Sequence, residues 1–324
     1  MAKISGRRLS VWFGKESTRG TAVSPVIWTP KTDYDFDEKI DTVENESSIG
    51  VLVDSTEAEI VRQYAEGSIT ANLGVNSIAL LLYSLFGSVN TTLASTGAYK
   101  HTFSLLTSNQ RPSLSVAVYD PNGSYKFPLG VVKKLKIKYE QDKYITYTVE
   151  LSANKGTADG ALTPTFADEG YLLGRHATIT IADTLAGLGA GTVLNVRSFE
   201  LEINTNTDEE YVLWSISPSD FLNTSVSISG SIESTYNSEA EYKTIALAGS
   251  QKSLRINAVN TAKTIGASSN PTLKIDLAKI KFTEWAKKMG NNEIVTQTCK
   301  IKGLFSIADA QAIVAELTNT VTSI

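Results

Sequence analysis

Residues 134–151 read KLKIKYEQDKYITYTVEL and contain two stretches, 135–139 and 146–151, in which apolar and polar side chains alternate. Alternate side chains of an extended chain point to opposite faces, so each stretch has one apolar and one polar face. The apolar face of such a strand packs on a core, while the polar face meets water or another subunit. These stretches therefore predict strands of a half-exposed sheet.

The same alternation recurs along the chain and predicts a mainly β protein with antiparallel sheets. Further examples are residues 178–181, 199–203, 226–232 and 280–282. Two helices interrupt this pattern. The first is predicted from Ile78 to Phe86, with Ser77 as N-cap and Gly87 after its end. The second is predicted to begin at Ser238-Glu239-Ala240-Glu241, which has capping-box spacing, and to end at Gly249.

Similar segments recur in the same order and predict an internal duplication. Gly67-Ser68-Ile69 reappears as Gly230-Ser231-Ile232, and residues 36–40 resemble 199–203, both at a separation of 163 residues. Five further matches follow the same order. We predict two similar antiparallel β-sandwich or barrel domains, residues 1–160 and 161–324, each with one flanking α-helix. Chance reuse of Thr, Val, Ile and Lys among strands is the alternative explanation.

The composition excludes several classes of function. The 324 residues carry a net charge of -4 and are 42% hydrophobic, which rules out wholesale disorder and a strong field for nucleic acid or anionic lipid. One cysteine, Cys299, excludes an intrachain disulfide and a multi-cysteine metal site. Two histidines, His101 and His176, leave little material for catalysis, so we expect no enzyme, metal or cofactor. The longest apolar run, 78–86, is too short for a membrane span, and no targeting segment is evident.

Residues 33–66 hold eleven acidic and two basic side chains, a local charge of -9 within a nearly neutral chain. Asp33, Asp35, Asp37 and Glu44 fall at positions 1, 3, 5 and 12 of a calcium loop, but Glu38 stands where that loop needs glycine. Tyr34 and Phe36 alternate with the aspartates as in a strand. A strand with a carboxylate face is the favoured interpretation, and calcium binding is the alternative.

Two further charged segments indicate what kind of partner the chain could bind. Residues 41–57 are acidic but also hold apolar side chains, a combination suited to docking on another subunit. Lys134, Lys136 and Lys138 lie on one strand face and repel one another unless carboxylates or solvent face them. Nucleic-acid binding is a weak alternative for this ladder, since no aromatic residues are interleaved on that face.

Three segments resemble tail tube (major tail) proteins of long-tailed bacteriophages: Phe13–Val23, Glu66–Ile69 leading into the first helix, and Val295–Thr298. The resemblance implies a β-sandwich with a flanking helix that assembles into stacked rings, forming a hollow tube through which DNA passes at ejection. In members with a duplicated domain, three chains form a pseudo-sixfold ring. Implied partners are other copies of the chain, a tape measure protein, a tail terminator and tail-tip initiator proteins. The implied location is the virion tail, after assembly in the host cytoplasm.

The resemblance also implies roles for particular residues. Asp33, Asp35 and Asp37 are candidates for lining the lumen, where negative charge avoids retention of DNA. Residues 41–57 correspond to the loop that docks on the neighbouring ring, and residues 204–223 to its counterpart in the second copy. The candidates within the docking loop are Glu44, Ile49, Val51, Leu52, Val53 and Asp54. Alternatives are another virion or extracellular assembly subunit (fibre, sheath or S-layer-like) and a carbohydrate-binding β-sandwich, which would need exposed tryptophans in one groove.

Overall fold

The computed structural model describes residues 3–160, 162–239 and 242–324, in which strands predominate and every strand pair is antiparallel. The strands up to residue 160 are β1 (Ser10–Lys15), β2 (Ile27–Thr29), β3 (Asp33–Tyr34), β4 (Asp37–Asn45), β5 (Glu57–Asn72), β6 (Gly87–Ser95), β7 (Ala98–Leu105), β8 (Leu114–Tyr119), β9 (Ser124–Glu140), β10 (Thr146–Asn154) and β11 (Thr157–Asp159). Those that follow are β12 (Ala177–Ala182), β13 (Thr192–Val193), β14 (Val196–Asn204), β15 (Thr207–Glu210), β16 (Asp220–Asn223), β17 (Ser227–Thr235), β18 (Gln251–Val259), β19 (Thr272–Lys288), β20 (Thr296–Leu304) and β21 (Ile313–Asn319). The helices are α1 (Ala79–Phe86) and α2 (Lys243–Leu247), with short 3₁₀ helices at Gly6–Arg8, Gly174–His176 and Ala186–Ala190. The prediction of a mainly β, antiparallel protein is confirmed.

The strands on either side of residue 161 pair in the same order. In the first series that order is β2–β1–β8–β9–β10–β5–β4. In the second series it is β13–β12–β18–β19–β20–β17–β14. Each series has one α-helix after its β5 or β17 strand, and a further strand, β11 or β21, beside the first part of β9 or β19. The β6–β7 hairpin belongs to the first series alone.

The long strands β9 and β19, of 17 residues each, organise the core. The first part of β9 pairs with β8 and the remainder with β10, so β9 runs from one sheet into the other. Apolar side chains from both sheets and from α1 meet in one buried cluster, which continues from the first series into the second. Because burial of apolar surface is the main favourable contribution to folding, this shared cluster ties the two series together.

The two series are joined directly by backbone pairing. β14 lies along the second part of β9 over seven residue pairs, from Ser198 opposite Glu140 to Asn204 opposite Lys134. β21 lies along β7 over six residue pairs. We call the first of these the central joint, because it makes one continuous sheet out of strands from both series.

Helix α1 forms because seven of its eight side chains are buried in the core. Its predicted end is confirmed: Gly87 follows it with φ of 89°, a left-handed conformation that glycine adopts without strain. Its predicted N-cap was wrong. Ile78 is the N-cap, and the Ser77 hydroxyl instead donates to the Gly74 carbonyl at 3.4 Å.

A buried carboxylate, in place of the predicted Ser77 cap, accepts a backbone hydrogen bond at the N-terminal end of α1. Glu169 Oε2 accepts a hydrogen bond from the Asn76 backbone N–H at 2.9 Å, and negative charge near a helix N-terminus is favourable. Burial raises the pKa of Glu169, against the hydrogen bonds that it accepts.

The second helix is shorter than predicted, because α2 begins at Lys243 and ends at Leu247. Of its predicted start, Ala240 and Glu241 lie outside the described residues, as does Ala161 at the predicted domain boundary. Neither α-helix among the described residues is long and apolar enough to cross a membrane.

The strand register corrects two of the sequence matches. Gly67 and Gly230 do hold the same place, opposite Leu151 and Ile301 on β10 and β20. Two residues further along each strand, Ile69 and Ile232 pair with Tyr34 and Phe199. Tyr34, not Phe36, is therefore the counterpart of Phe199, and that match was wrong by two residues. The match of Lys134–Tyr139 to 277–282 was wrong by seven, as the register of β19 with β20 places residues 284–289 there.

Candidate assembly surfaces

The three aspartates proposed for a lumen lie together at the outer edge of the first series. Asp33, Asp35 and Asp37 are all exposed, while Tyr34 between them is half-buried and Phe36 is fully buried. The Phe36 ring packs edge-on against Phe127 with ring centroids 5.3 Å apart. The aspartates thus alternate with half-buried or buried rings as predicted, but the segment forms two strands, β3 and β4, with Asp35 and Phe36 between them. Among the residues that the structure describes, no three His, Cys, Asp or Glu side chains converge as metal ligands would.

These aspartates share a sheet face with the lysine ladder. Residues directly opposite one another on antiparallel strands point to the same side. Asp33 lies opposite Thr70, whose hydroxyl is hydrogen-bonded to that of Thr148 at 2.9 Å. Thr148 lies opposite Lys136, and Lys136 lies opposite Glu202 across the central joint. One polar face therefore continues from the β3–β4 edge across the joint into the second series.

Carboxylates, one of the two possibilities that the sequence left open, neutralise the lysine ladder. Lys134 Nζ lies 2.9 Å from Glu150, Lys136 Nζ 2.8 Å from Glu200, and Lys138 Nζ 2.5 Å from Glu140. These hydrogen bonds raise the pKa values of Lys134 and Lys138. Lys138 and Lys143 together lower the pKa of Glu140 to about 2. The face is therefore of mixed charge along the joint, with its aspartates concentrated at the edge.

The β4–β5 hairpin carries the predicted docking residues, and it projects from the body. We call residues 38–62 the arm. At its tip Ile49, Val51, Leu52 and Val53 are all exposed, and Leu52 has no cover at all, with a relative exposure of 107%. Glu44 at the end of β4 and Asp54 in the turn are exposed as well. The structure thus brings all six predicted docking residues together at the end of one hairpin.

The sequence reasoning missed that the arm is apolar well below its tip. Ile40, Ile60 and Val61 are also exposed, although they lie within paired strands. The signal was present in the alternation, because the strands around residues 40 and 60 carry apolar side chains next to charged ones. Contiguous exposed apolar surface on a folded chain marks an interaction site.

The segment predicted as the arm's counterpart, residues 204–223, is folded onto the first series instead. The Thr205 hydroxyl donates to the Val132 carbonyl at 3.1 Å, and Phe221 is fully buried beside Leu129 and Val131. Asp220 accepts hydrogen bonds from Arg19 and Gln110, each at 2.6 Å. This hairpin of β15 and β16 is therefore covered by the chain itself.

Its tip stands beside the base of the arm. Leu213 and Trp214 are exposed there, with Trp214 at 88%. The Gln63 backbone N–H donates to the Ile216 carbonyl at 2.7 Å, and the Arg62 guanidinium lies 4.6 Å from the centre of the Tyr211 ring. Burial, followed by the nearby Glu209 carboxylate, raises the pKa of Tyr211. These exposed apolar residues extend the surface of the arm.

The opening segment Phe13–Val23 has a structural role. The Glu16 carboxylate is buried and accepts hydrogen bonds from the backbone N–H groups of Gly20, at 2.8 Å, and Leu129, at 2.9 Å. These hydrogen bonds hold the turn that carries Arg19. Besides its bond to Asp220, the Arg19 guanidinium donates to the Phe221 carbonyl at 2.7 Å. The segment thereby clamps the β15–β16 hairpin onto the first series.

The remaining candidate residues are scattered. His101 is buried and bonded to Thr91 and Asn319, and His176 Nδ1 accepts from its neighbour Leu173, so each histidine has local partners. Of the tryptophans, Trp12 and Trp28 are buried. They form no exposed groove with Trp214 of the kind that a carbohydrate-binding sandwich needs.

Comparison with known proteins agrees with the earlier resemblance. Residues 6–316 match the sequence profile of the family described as Phage tail tube protein. The match spans both strand series and nearly the whole chain. A search of curated proteins found no match.

Proposed function

The chain belongs to the phage tail tube protein family, and we propose on that premise that it is a structural subunit that self-assembles into stacked rings around a DNA conduit. The observation that carries the proposal is the arm, whose apolar residues remain exposed to solvent in the described part of the chain. Each Å² of apolar surface removed from water is worth about 25 cal/mol. Burial of these residues against another copy is therefore a strong drive to assemble.

We propose that the chain arose by internal duplication and consists of two similar domains, residues 1–160 and 161–324. The common strand order of the two series supports this, as does the equivalent place of Gly67 and Gly230. Three chains then supply six units per ring. A tube cross-section with six chains in a ring would contradict this proposal.

The polar face that joins both series is proposed to line the lumen, with Asp33, Asp35 and Asp37 among its charges. DNA carries about one charge per 1.7 Å of its axis, so a wall of unpaired lysines would retain it. Here the lysines of the joint are paired with glutamates, and the aspartates add negative charge. A tube reconstruction with these aspartates on the outside would contradict this assignment.

The arm is proposed to dock on the neighbouring ring through Glu44, Ile49, Val51, Leu52, Val53 and Asp54. Further partners that the family suggests, a tape measure protein, a tail terminator and tail-tip initiator proteins, would meet the tube at its lumen and its ends.

The test is to replace residues 46–56 with Asn-Gly, a two-residue turn that retains the pairing of Asn45 with Glu57. We expect a folded protein with an unchanged thermal midpoint that forms no tubes under the electron microscope, because the exposed apolar tip is gone. The matched control, Glu46→Gln with Ser48→Ala, alters the same loop without touching its apolar residues and should form tubes of normal length. Normal tubes from the shortened arm would contradict the docking role.

A further inference from the structure

The central joint offers a template for a contact between copies. Across it, Lys136 Nζ lies 2.8 Å from Glu200 on the polar face. On the opposite face the rings of Tyr139 and Phe199 pack with centroids 5.8 Å apart, and both are buried. The joint thus combines backbone pairing, charge complementarity and a buried apolar layer.

The second series has its own version of the β9 edge. One residue of β9, Lys133, has no partner on β10, and one residue of β19, Thr283, has none on β20. Alignment of these two bulges places residues 284–290 where β9 has 134–140. Since 134–140 pair with β14 in the central joint, residues 284–290 are the equivalent edge of the second series.

The first series has its own version of the β14 edge. Tyr34 and Phe199 occupy equivalent places, as each pairs with the isoleucine two residues after the equivalent glycine. The segment equivalent to 198–204 is therefore 33–39.

Neither of these edges has a partner within the described part of the chain. β3 and β4 pair with β5 on one side only, and residues 284–288 pair only with β20. An unpaired strand edge presents free backbone N–H and C=O groups and is a template for addition of another strand.

We propose that residues 284–290 of one copy pair antiparallel with residues 33–39 of a second copy, in the register of the central joint. The contact deepens the proposed function and rests on it, since it is the contact that would close a ring. In this register Lys288 lies opposite Asp35, Glu284 opposite Lys39, and Ala286 opposite Asp37. Both charged pairs are of opposite sign. Slippage by two residues would keep Lys288 opposite an aspartate, Asp33 or Asp37, but would place Glu284 opposite Asp37 or Asp41. The repulsion between those carboxylates favours the register in which Glu284 faces Lys39.

The apolar layer also has a counterpart. Met289, at 68% exposure, takes the place of Tyr139, and in the second copy it would meet Tyr34, the equivalent of Phe199. Within the chain the side chains of Lys288 and Glu284 form surface ion pairs, with Glu293 at 3.3 Å and Lys300 at 2.8 Å. Such exposed pairs are weak and do not oppose a new partner.

A groove beside each edge supports the same pairing. At the central joint the groove has a volume of about 180 Å³, and Tyr139, Glu140 and Gln141 form one of its walls. The equivalent groove, formed by Arg7, Leu9 and Asp33, is an open space of about 850 Å³. In the part of the chain that the structure describes, the wall that Tyr139, Glu140 and Gln141 form at the central joint has no equivalent in this open groove. Residues 289–291 of another copy would supply it.

The exposure of an apolar residue near the base of the arm also supports this pairing. Ile40 is 56% exposed, whereas its equivalent in the second series, Thr205, is fully buried against β9. The proposed contact would place Ile40 of the second copy against β19 of the first copy and cover it.

The test is disulfide formation between copies. Asp37→Cys combined with Ala286→Cys places two cysteines directly opposite, with a Cα separation of about 4.5–5.5 Å that a disulfide can span. Oxidation of the assembled protein should give covalent multiples of the chain on a denaturing gel without reductant. The native Cys299 can remain, since it is buried and burial raises its pKa to about 12.

Two cysteine controls test whether a cross-link reports the proposed register. Asp37→Cys with Glu284→Cys is a diagonal pair, about 7–8 Å apart, and should cross-link at least tenfold less. Lys136→Cys with Glu202→Cys occupies the equivalent positions of the central joint and should form a disulfide without raising the mass. This second control establishes that the geometry of such a pair permits the bond.

Charge reversal provides an independent readout. Lys39→Glu and Glu284→Lys should each reduce assembly, and the two together should restore it, with circular dichroism used to confirm that every variant is folded. If the wild type forms rings but Asp37→Cys with Ala286→Cys yields only single chains, this contact is wrong and the proposed function stands. If the wild type forms no rings at all, the proposed function fails and the contact fails with it.

Discussion

The arm and the β15–β16 hairpin follow equivalent strands, yet only one of them is covered by the chain. Phe221 and Thr205 of the second hairpin are fully buried against the first series, whereas Leu52 and Ile40 of the arm are exposed. The second hairpin finds its cover because β9 lies beside it across the central joint. Within the described part of the chain no strand lies beside the arm in this way, and in the proposed contact β19 of another copy would take that place.

Under the proposed function, the difference separates residues that stabilise the chain from residues that would drive its assembly. Asp220, with its bonds to Arg19 and Gln110, holds the second hairpin in place within one chain. The apolar residues of the arm contribute nothing of this kind to a single chain. Substitutions at equivalent places should therefore have different consequences for folding and for tube formation.

The largest contrast is expected between Phe221→Ala and Leu52→Ala. Removal of the buried Phe221 ring leaves a cavity beside Leu129 and Val131 and should lower the free energy of unfolding by about 3–5 kcal/mol. Leu52→Ala should change it by less than about 0.5 kcal/mol while it impairs tube formation. Urea unfolding of the unassembled protein measures both. Equal destabilisation by the two variants would show that the arm is packed within the chain after all.

A smaller contrast is expected between the glycines at the base of the two hairpins. A Cβ at Gly67 would lie 1.8 Å from the Asp35 carbonyl oxygen, whereas one at Gly230 would lie 2.7 Å from that of Glu200. We expect Gly67→Ala to cost about 3 kcal/mol of unfolding free energy and Gly230→Ala about 1 kcal/mol, because the backbone must move further at Gly67. Thermal unfolding of both variants side by side measures the difference, and a reversed order would refute it.

The smallest effect concerns the β6–β7 hairpin, which the first series has and the second lacks. His101 on β7 is buried, bonded to Thr91 and to Asn319 of β21, and burial lowers its pKa. The unfolded chain then binds a proton more readily than the folded one. The stability that neutral His101 supports is present above pH 6.5, the ordinary value for histidine, and is lost as the pH falls below it.

The free energy of unfolding should therefore fall between pH 7 and pH 5, and His101→Gln should remove that part of the pH dependence. Urea midpoints of the wild type and the variant at pH 8, 6.5 and 5 measure it. The other titrating groups are common to both proteins, so parallel curves would mean that His101 plays no part.

Much of the fold was predictable because it is local. The alternation in residues 135–139 and 146–151 appears as β9 and β10, and the apolar run at 78–86 appears as α1 with Gly87 at its end. The start of α1 was not predictable from capping rules, because Glu169, far along the chain, binds the backbone there.

The candidate site was only partly predictable. The exposed tip of the arm followed from apolar residues within an acidic run. The neutralisation of Lys136 by Glu200 did not, because these residues are brought together only when β14 pairs with β9. The exposed Trp214 escaped notice for the same reason, as a tryptophan in sequence looks like a core residue until its surroundings are known.

The sequence by itself determined the β class, the place and end of α1 and the recurrence of Gly67-Ser68-Ile69 as Gly230-Ser231-Ile232, because periodicity and turn chemistry act over a few residues. Only the tertiary structure decided which edges are paired, which carboxylate faces which lysine, and which of two equivalent hairpins is covered. The physical reason is that strand register and burial depend on contacts between residues far apart in the chain. Among the described residues, those contacts leave one pair of equivalent edges joined and the other pair without a strand beside it.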